Sequence, residues 1–166
     1  MKKIRNPWKD PKNDGVYNCF ACSPYNNSGL HLEFWEDGDD IVTRWNPEKK
    51  YEGWIGVLHG GIQATLLDEI GGWVTMLKLK TTGVTSEMNV KYLKPVTVTN
   101  DYITIRGRIE SVEGRIAKIA ASLYNGAGEE CAKATLSYFV FPENIAKRRY
   151  NYPGIEAFYN DEDSGL

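Results

Sequence analysis

The sequence has no long hydrophobic run and little cysteine or histidine. No apolar stretch approaches the roughly 20 residues that a membrane-spanning helix needs. The basic start, MKKIRNPWKDPKNDG, is not followed by an apolar segment, so it does not have the pattern of a secretory signal. These absences lead us to expect a cytoplasmic protein with no membrane partner.

The chain also has no excess of charge of either sign. Its 20 Lys and Arg residues nearly balance 22 Asp and Glu residues, which gives a net charge of -2. A protein that binds nucleic acid or an anionic membrane usually presents a basic patch. The balance therefore gives no reason to expect either partner.

Three cysteines are present, and two of them, Cys19 and Cys22, form a lone CxxC pair. Without an export signal, we expect reduced thiols. A zinc site usually has four ligands, and only His31 and Cys131 could complete one here. We therefore expect no metal. The sequence also contains neither a G-x-S-x-G nucleophile motif nor a phosphate-binding loop.

At 166 residues the chain is long enough for one domain with a substantial core. Residues 1–29 are rich in Pro, Asn, Asp and Gly, which predicts an irregular arm. The periodic segments lie in residues 30–141 and define the domain. Residues 142–166 form a polar, aromatic tail, which we expect to be irregular or helical.

Hydrophobic periodicity predicts two strands, one long helix and then four strands. The first two strands form a hairpin over Gly29–Trp45, with its turn at Asp37-Gly38-Asp39. The last four strands are predicted at 84–93, 102–110, 116–124 and 131–141. In the first of these, Val84, Met88, Val90 and Tyr92 are expected on one side.

The helix is predicted from Gly60 to about Leu79, with two different faces. The apolar face carries Ile62, Leu66, Ile70, Trp73 and Leu77. The other face is small and polar, with Gly61, Ala64, Thr65, Asp68, Gly72 and Thr75. Each glycine of the Gly71-Gly72 pair costs on the order of 1 kcal/mol in a helix, so we expect a strand, a second helix or a ligand to approach closely there.

An antiparallel sheet with one long helix can bury the apolar helix face if the sheet curls around the helix. The predicted fold class is therefore α+β, with the hotdog architecture.

The stretch His59-Gly60-Gly61 marks the start of this helix, and Asp68 lies two turns inside it. A helix N-terminus offers unpaired N–H groups that suit a developing oxyanion, and a carboxylate can act as base or nucleophile. Glu69 is a second candidate base, but it lies about 100° round the helix, near the apolar face. We favour Asp68, because the residues around it are small.

The motif HGGIQATLLDE, preceded by GWIG and followed by SEMNVKYLKPV, resembles the hotdog-fold acyl-CoA thioesterases of the HGG, or phenylacetate-degradation, type. The early segment NCFACSPYNNSGLHLEF is also similar to the opening of many members. The resemblance covers about residues 19–140. It implies an enzyme that hydrolyses an acyl-CoA thioester to a free acid and coenzyme A, with no cofactor other than the coenzyme A of the substrate.

The resemblance also implies roles for individual residues. Asp68 would be the base or nucleophile, and the Gly60 N–H would polarise the thioester carbonyl while Gly61 permits the tight approach. Thr85, with Ser86 as the alternative, would position the water.

Further substrate contacts are candidates only. His59 could be an acid, although we favour a structural ring that bonds loop backbone. Trp54 is the first candidate for the acyl group. Lys91 is a candidate for the coenzyme A phosphates, and the other cations considered are Lys94, Arg106 and Arg108.

The spacing of Gly60 and Asp68 has a consequence of its own. Eight residues on one helix span about 12 Å, whereas donor and base must each lie within about 3 Å of the reacting group. Two antiparallel helices can bring Gly60 of one subunit to Asp68 of the other. We therefore predict a homodimer with shared sites, which could pair further into a tetramer.

One position departs from the family pattern. Many members have Asn or Gln six residues before the His, where this chain has Gly53. The missing amide leaves open a protein that binds acyl-CoA without hydrolysing it. A hydratase is disfavoured, because no histidine occurs between residues 60 and 83.

Overall fold

The protein was analysed as a computed structural model that describes residues 1–99 and 101–159. Its strands are β1 (Lys2–Ile4), β2 (Phe34–Asp37), β3 (Asp40–Trp45), β4 (Gly83–Tyr92), β5 (Ile103–Glu113), β6 (Ile116–Tyr124) and β7 (Glu130–Val140). Its α-helices are α1 (Gly60–Lys78) and α2 (Glu143–Tyr150), and short 3-10 turns occur at Pro11–Asn13, Lys49–Tyr51 and Ile155–Phe158. The strands form one antiparallel sheet in the order β1-β2-β3-β5-β6-β7-β4.

The sheet wraps helix α1, which packs against β3, β4, β5, β6 and β7. The apolar face of the helix is buried, with Leu66, Ile70, Trp73 and Leu77 at most 4% exposed. Each such side chain contributes about 1.5–3 kcal/mol relative to exposure. The predicted helix and the hotdog fold are confirmed.

The predicted hairpin turn is present, and a second one joins β5 to β6. Asp37 pairs with Asp40 across the first turn, and Gly38 has φ +62°. Gly114 has φ +59° in the turn between β5 and β6. Both glycines adopt the left-handed conformation that costs a residue with a Cβ.

The close approach predicted at Gly71 is made by strand β7. A Cβ on Gly71 would lie 2.9 Å from Cε2 of Tyr138 and 3.2 Å from Leu136. The small face of α1 is narrower than predicted, because Thr75 is fully buried and donates its hydroxyl to the Gly71 carbonyl at 3.0 Å. The space beside Gly71 is therefore occupied by strand β7 and not by a ligand.

Strand β4 carries a bulge between Thr85 and Glu87. Thr85 pairs with Tyr138, and Met88 pairs with Leu136, so both share the face that looks at the helix. Strict alternation would have put Val84 with Met88, as the sequence analysis predicted. That prediction was wrong, because the extra residue at Ser86 reverses the alternation, and Val84 pairs with Phe139 on the outer face.

The N-terminal arm is not wholly irregular, because its first residues form β1 and pair with β2. In the tail, the helical alternative holds for α2, and residues 160–166 lie outside the described structure. Across residues 1–99 and 101–159, no helix is long and apolar enough to cross a membrane. The structure does not test the predicted domain boundaries at residues 29 and 141.

Candidate active site

The first turn of α1 is capped by His59. Its Nδ1 accepts a 2.9 Å hydrogen bond from the backbone N–H of Gly61. This is the structural role that the sequence analysis favoured for His59. The bond also occupies the Gly61 amide, so only its neighbour can serve as a donor to a ligand.

The Gly60 amide is that neighbour. As the first residue of the helix it has no acceptor in a preceding turn, and its N–H bonds to no group in the described part of the chain. The Tyr92 hydroxyl donates to the Gly60 carbonyl at 2.8 Å, which fixes the peptide from the β4 side.

Asp68 is half-buried on the small face of α1. The Thr85 hydroxyl donates to its Oδ1 at 2.7 Å. The Tyr138 hydroxyl donates to the Asp68 main-chain oxygen at 2.8 Å and lies 3.4 Å from Oδ1. Burial raises the pKa of Tyr138, so the phenol stays protonated. Oδ2 accepts no bond from the described residues and is available to a reactant.

Ser86 and Lys91 are not brought to this carboxylate. The Ser86 hydroxyl donates instead to the Ser137 carbonyl at 3.0 Å. Lys91 follows Val90 and precedes Tyr92, so alternation places it on the outer face of β4, where it lines a surface groove with Asn89 and Glu110.

The other cations considered for phosphate binding already have carboxylate partners. Lys94 bonds Glu129 at 2.6 Å. Arg106 bonds Asp37 at 2.5 Å and Asp40 at 2.8 Å, and Arg108 bonds Asp40 at 3.0 Å. A phosphate at these sites has to compete with those pairs.

The loop before the helix projects apolar side chains into solvent. Trp54 is 84% exposed and Ile55 is 97% exposed. Gly53 occupies the position where the family usually has Asn or Gln. It lies against the capping residue His59, since a Cβ on Gly53 would be 3.2 Å from the His59 Cα. A larger residue at position 53 has to displace His59 or the loop.

Glu69 faces away from Asp68 and toward the arm. Its carboxylate accepts from the Trp73 indole at 3.0 Å, and it lies 3.8 Å from the sulfur of Cys19. Burial raises the pKa of Glu69. The CxxC pair therefore lies beside Glu69, which the sequence analysis considered only as a base, and not beside His31 or Cys131.

A cavity of about 290 Å³ lies between the arm, β2 and the edge of Trp73, lined in part by Lys3, Arg5, Lys9 and Glu33. Asp68, Gly60 and Thr85 do not line it. Glu33 already pairs with Lys3 and Lys9, so the cavity offers no group that resembles a base.

Sequence reasoning gave no role to the two tyrosines that hold the site. Tyr92 is predicted only to lie on one side of its strand and is part of the motif that resembles the family. For Tyr138 the sequence offers only indirect evidence. The Gly71-Gly72 pair predicts that some group approaches the helix closely, but it does not identify that group as Tyr138. Together the two tyrosines fix on α1 an amide and a carboxylate oxygen that bond to no other group among the described residues, and attack on a carbonyl group needs one group of each kind.

Comparisons with known proteins identify the family of the chain. The model of the thioesterase superfamily matches residues 55–132, from the exposed loop into β7. A protein of Saccharolobus solfataricus, named "Putative esterase SSO1253", is 31% identical over 121 residues, which are 72% of this chain and 78% of that protein. The chain belongs to the thioesterase superfamily.

Solved structures share the fold of this thioesterase-superfamily protein. Smu.793 from Streptococcus mutans, bound to acetyl CoA, matches with a TM-score of 0.62 and 25% identity, over 68% of this chain and 90% of that one. A hypothetical thioesterase protein with coenzyme A from Streptococcus pneumoniae matches with a TM-score of 0.62 and 27% identity, over 68% and 87% of the two chains.

Proposed function

We propose that this protein hydrolyses an acyl-CoA thioester to the free acid and coenzyme A. The observation that carries the proposal is the Asp68 carboxylate, which is held by Thr85 on the helix that begins with Gly60. Among the described residues, nothing bonds Oδ2 of Asp68 or the Gly60 amide. Membership of the thioesterase superfamily and two similar structures that contain acetyl CoA or coenzyme A support the substrate class.

In the proposed reaction the Gly60 N–H binds the thioester carbonyl oxygen and stabilises the negative charge that develops there. Asp68 either removes a proton from the attacking water or attacks the carbonyl carbon itself, in which case water then hydrolyses the acyl-aspartate and releases the acid. Thr85 holds Oδ1, so Oδ2 faces the reactant. The thioester C–S bond breaks, and coenzyme A leaves as a thiolate that takes up a proton.

The site is proposed to form between two subunits. Gly60 and Asp68 lie eight residues apart on α1, about 12 Å, which is too far for one carbonyl. Strand β4 is the last strand of the sheet, and its outer edge can pair with a second copy. Val84, Tyr92 and Leu93 on or beside this strand are 45–54% exposed, and a homodimer would cover them. Pairing of dimers into tetramers remains a prediction.

Trp54 is proposed to contact the acyl group, since its exposed ring lies on the loop that leads into His59 and Gly60. His59 and Gly61 shape the amide end of the site through their mutual bond. A contact of Lys91 with the phosphates and a cytoplasmic location remain predictions.

The test is release of free thiol from acyl-CoAs of increasing chain length, measured for wild type and for Asp68→Asn. We expect wild type to release coenzyme A and the variant to lose at least about 100-fold in turnover, the smaller end of the effect of a positioned base. A wild-type protein that binds every acyl-CoA and releases none would show a binding protein instead, and an Asp68→Asn variant with full activity would overturn the role of Asp68.

A further inference from the structure

Cys19 and Cys22 form a close pair of thiols at the base of the arm. Their sulfurs lie 3.1 Å apart, with Cys22 placed to donate to Cys19. Both are free thiols in this structure. A disulfide has an S–S distance near 2.05 Å, so the sulfurs are about 1 Å from bonding distance.

The two thiols differ in exposure and in their hydrogen bonds. Cys22 is 5% exposed, whereas Cys19 is only partly buried and can be reached from solvent. The Cys22 thiol lowers the pKa of Cys19 by donating to it, and the Cys22 backbone N–H also points at the Cys19 sulfur at 3.4 Å. An accessible thiol with a lowered pKa beside a buried thiol is the arrangement of a reactive CxxC pair.

Two further groups complete the surroundings of Cys22. The Tyr17 hydroxyl lies 2.8 Å from its sulfur, and Asn6 donates to that hydroxyl at 3.0 Å. The Tyr17 proton is therefore free to point at Cys22. The reactive atoms of Cys19, Cys22 and Glu69 all lie within 4.8 Å of one another, so a partly buried carboxylate lies beside the thiols.

We propose that Cys19 and Cys22 are a reversible thiol–disulfide pair that reacts with low-molecular-weight disulfides, and that Glu69 accepts the proton of Cys22. The proposal is independent of thioester hydrolysis, because none of these side chains bonds Asp68, Thr85 or Gly60 in the described structure.

The reaction takes two exchange steps. The Cys19 thiolate attacks one sulfur of the small disulfide, forms a mixed disulfide and expels one thiolate. Cys22 then gives its proton to Glu69 and attacks the Cys19 sulfur, which expels the second thiolate. The two cysteine sulfurs are oxidised, the small disulfide is reduced by two electrons to two thiols, and Glu69 passes its proton on to a leaving thiolate.

A zinc site is the competing use of these groups. Two thiolates bound tetrahedrally to zinc at about 2.3 Å each lie about 3.8 Å apart, which is longer than the 3.1 Å found here. The described residues supply three clustered ligand atoms, whereas a structural zinc site has four. The 3.1 Å separation fits a hydrogen bond from the Cys22 thiol to the Cys19 sulfur.

The test uses the whole protein in buffers of reduced and oxidised glutathione at several ratios. After alkylation, mass spectrometry of peptides reports the state of each cysteine. We expect a Cys19–Cys22 disulfide that forms and reverses with the ratio, while fully buried Cys131 stays reduced as the internal control. Failure to form it at any ratio overturns the proposal, as does zinc that copurifies and blocks the reaction.

Variants separate the two steps. We expect Cys22→Ser to stop at a persistent glutathione adduct on Cys19, and Cys19→Ser to form no adduct on Cys22. Glu69→Gln keeps an acceptor for the Trp73 indole, and we expect it to slow ring closure about 100-fold, so that the Cys19 adduct accumulates. Glu87→Gln, the same change at an exposed carboxylate of β4, is the matched control and should close at the wild-type rate. Equal closure in Glu69→Gln and wild type would overturn the role of Glu69.

Discussion

The hydroxyl of Thr85 donates a 2.7 Å hydrogen bond to Oδ1 of Asp68 and so joins strand β4 to helix α1 at the proposed base. A hydrogen bond to a charged group contributes about 1.5–3 kcal/mol. We expect Thr85→Val to lower kcat by roughly 10- to 100-fold, because the carboxylate loses its orientation. Thr85→Ser keeps the hydroxyl and should retain most of the activity. Steady-state kinetics check both, and equal losses in the two variants would contradict the role of the bond.

A shared site predicts rescue between two inactive variants. Gly60→Pro removes the N–H at the first helical position, where proline fits the helix, while Gly60→Ala keeps the N–H and its Cβ makes only ordinary contacts with Tyr92. We expect Gly60→Pro and Asp68→Asn to be nearly inactive alone. Refolded together, they should recover about a quarter of wild-type turnover, since half of the dimers are mixed and each has one intact site of two.

The result that contradicts this prediction is a mixture as inactive as its components, provided that size-exclusion chromatography shows the dimer. Gly60→Ala is the control for the added side-chain volume and should remain active. A monomer with full activity would rule out the shared site altogether.

Gly71 and Gly72 give opposite expectations for the same substitution. A Cβ at Gly71 would meet the ring of Tyr138 at 2.9 Å, so Gly71→Ala should destabilise the protein by about 1–3 kcal/mol through overpacking. A Cβ at Gly72 lies 3.6 Å from the Tyr138 hydroxyl, an ordinary contact. Gly72→Ala should therefore gain up to about 1 kcal/mol from helix propensity. Urea denaturation measures both, and equal effects would argue against a close fit at Gly71.

The cap made by His59 can be separated from any acid role. His59→Ala removes the acceptor for the Gly61 amide and should cost about 1 kcal/mol of unfolding free energy. His59→Asn restores a side chain that caps well and should recover both stability and turnover. If His59→Asn folds as wild type but loses turnover, His59 acts in catalysis rather than as a cap.

Glu69 predicts a pH dependence of stability. Burial raises the pKa of its carboxyl in the folded state. Between the ordinary pKa of glutamate and this raised value, the folded protein holds a proton that the unfolded chain has released. Stability from this group is thus lost as the pH rises through that window. The Glu69→Gln variant has no carboxyl to titrate at this position. As the pH rises through the window, the unfolding free energy of wild type should therefore fall relative to that of the variant. A constant difference across the acidic range would contradict the prediction.

The sequence predicts α1 almost to the residue, because its apolar face repeats over five turns and ends near a Thr-Thr-Gly turn. It misses β1, since three residues have no measurable period and are held only by pairing with β2. It also assigns Val84 to the wrong face of β4. The periodicity argument assumes that successive residues alternate between the two faces of the strand. The bulge at Ser86 breaks this alternation, and it depends on how β4 pairs with β7.

In the candidate site, too, the sequence predicts local features but not contacts between distant segments. The separation of Gly60 and Asp68 along one helix follows from local spacing, so the sequence is sufficient to predict it. The hydrogen bonds from Tyr92 and Tyr138 join residues 32 and 70 positions apart in the chain. Such contacts follow from the order of strands, which one sequence does not specify. The meeting of Glu69 with Cys19 spans 50 residues and was missed for the same reason.

The two tyrosines also bear on how this scaffold can diversify. Tyr92 anchors the start of α1 to β4, and Tyr138 anchors the middle of the helix to β7. The reactive groups are thus located by the sheet and not by the exposed loop that carries Trp54 and Ile55. That loop can change its length and side chains without relocating the carboxylate, so new acyl preferences can evolve while the chemistry stays in place.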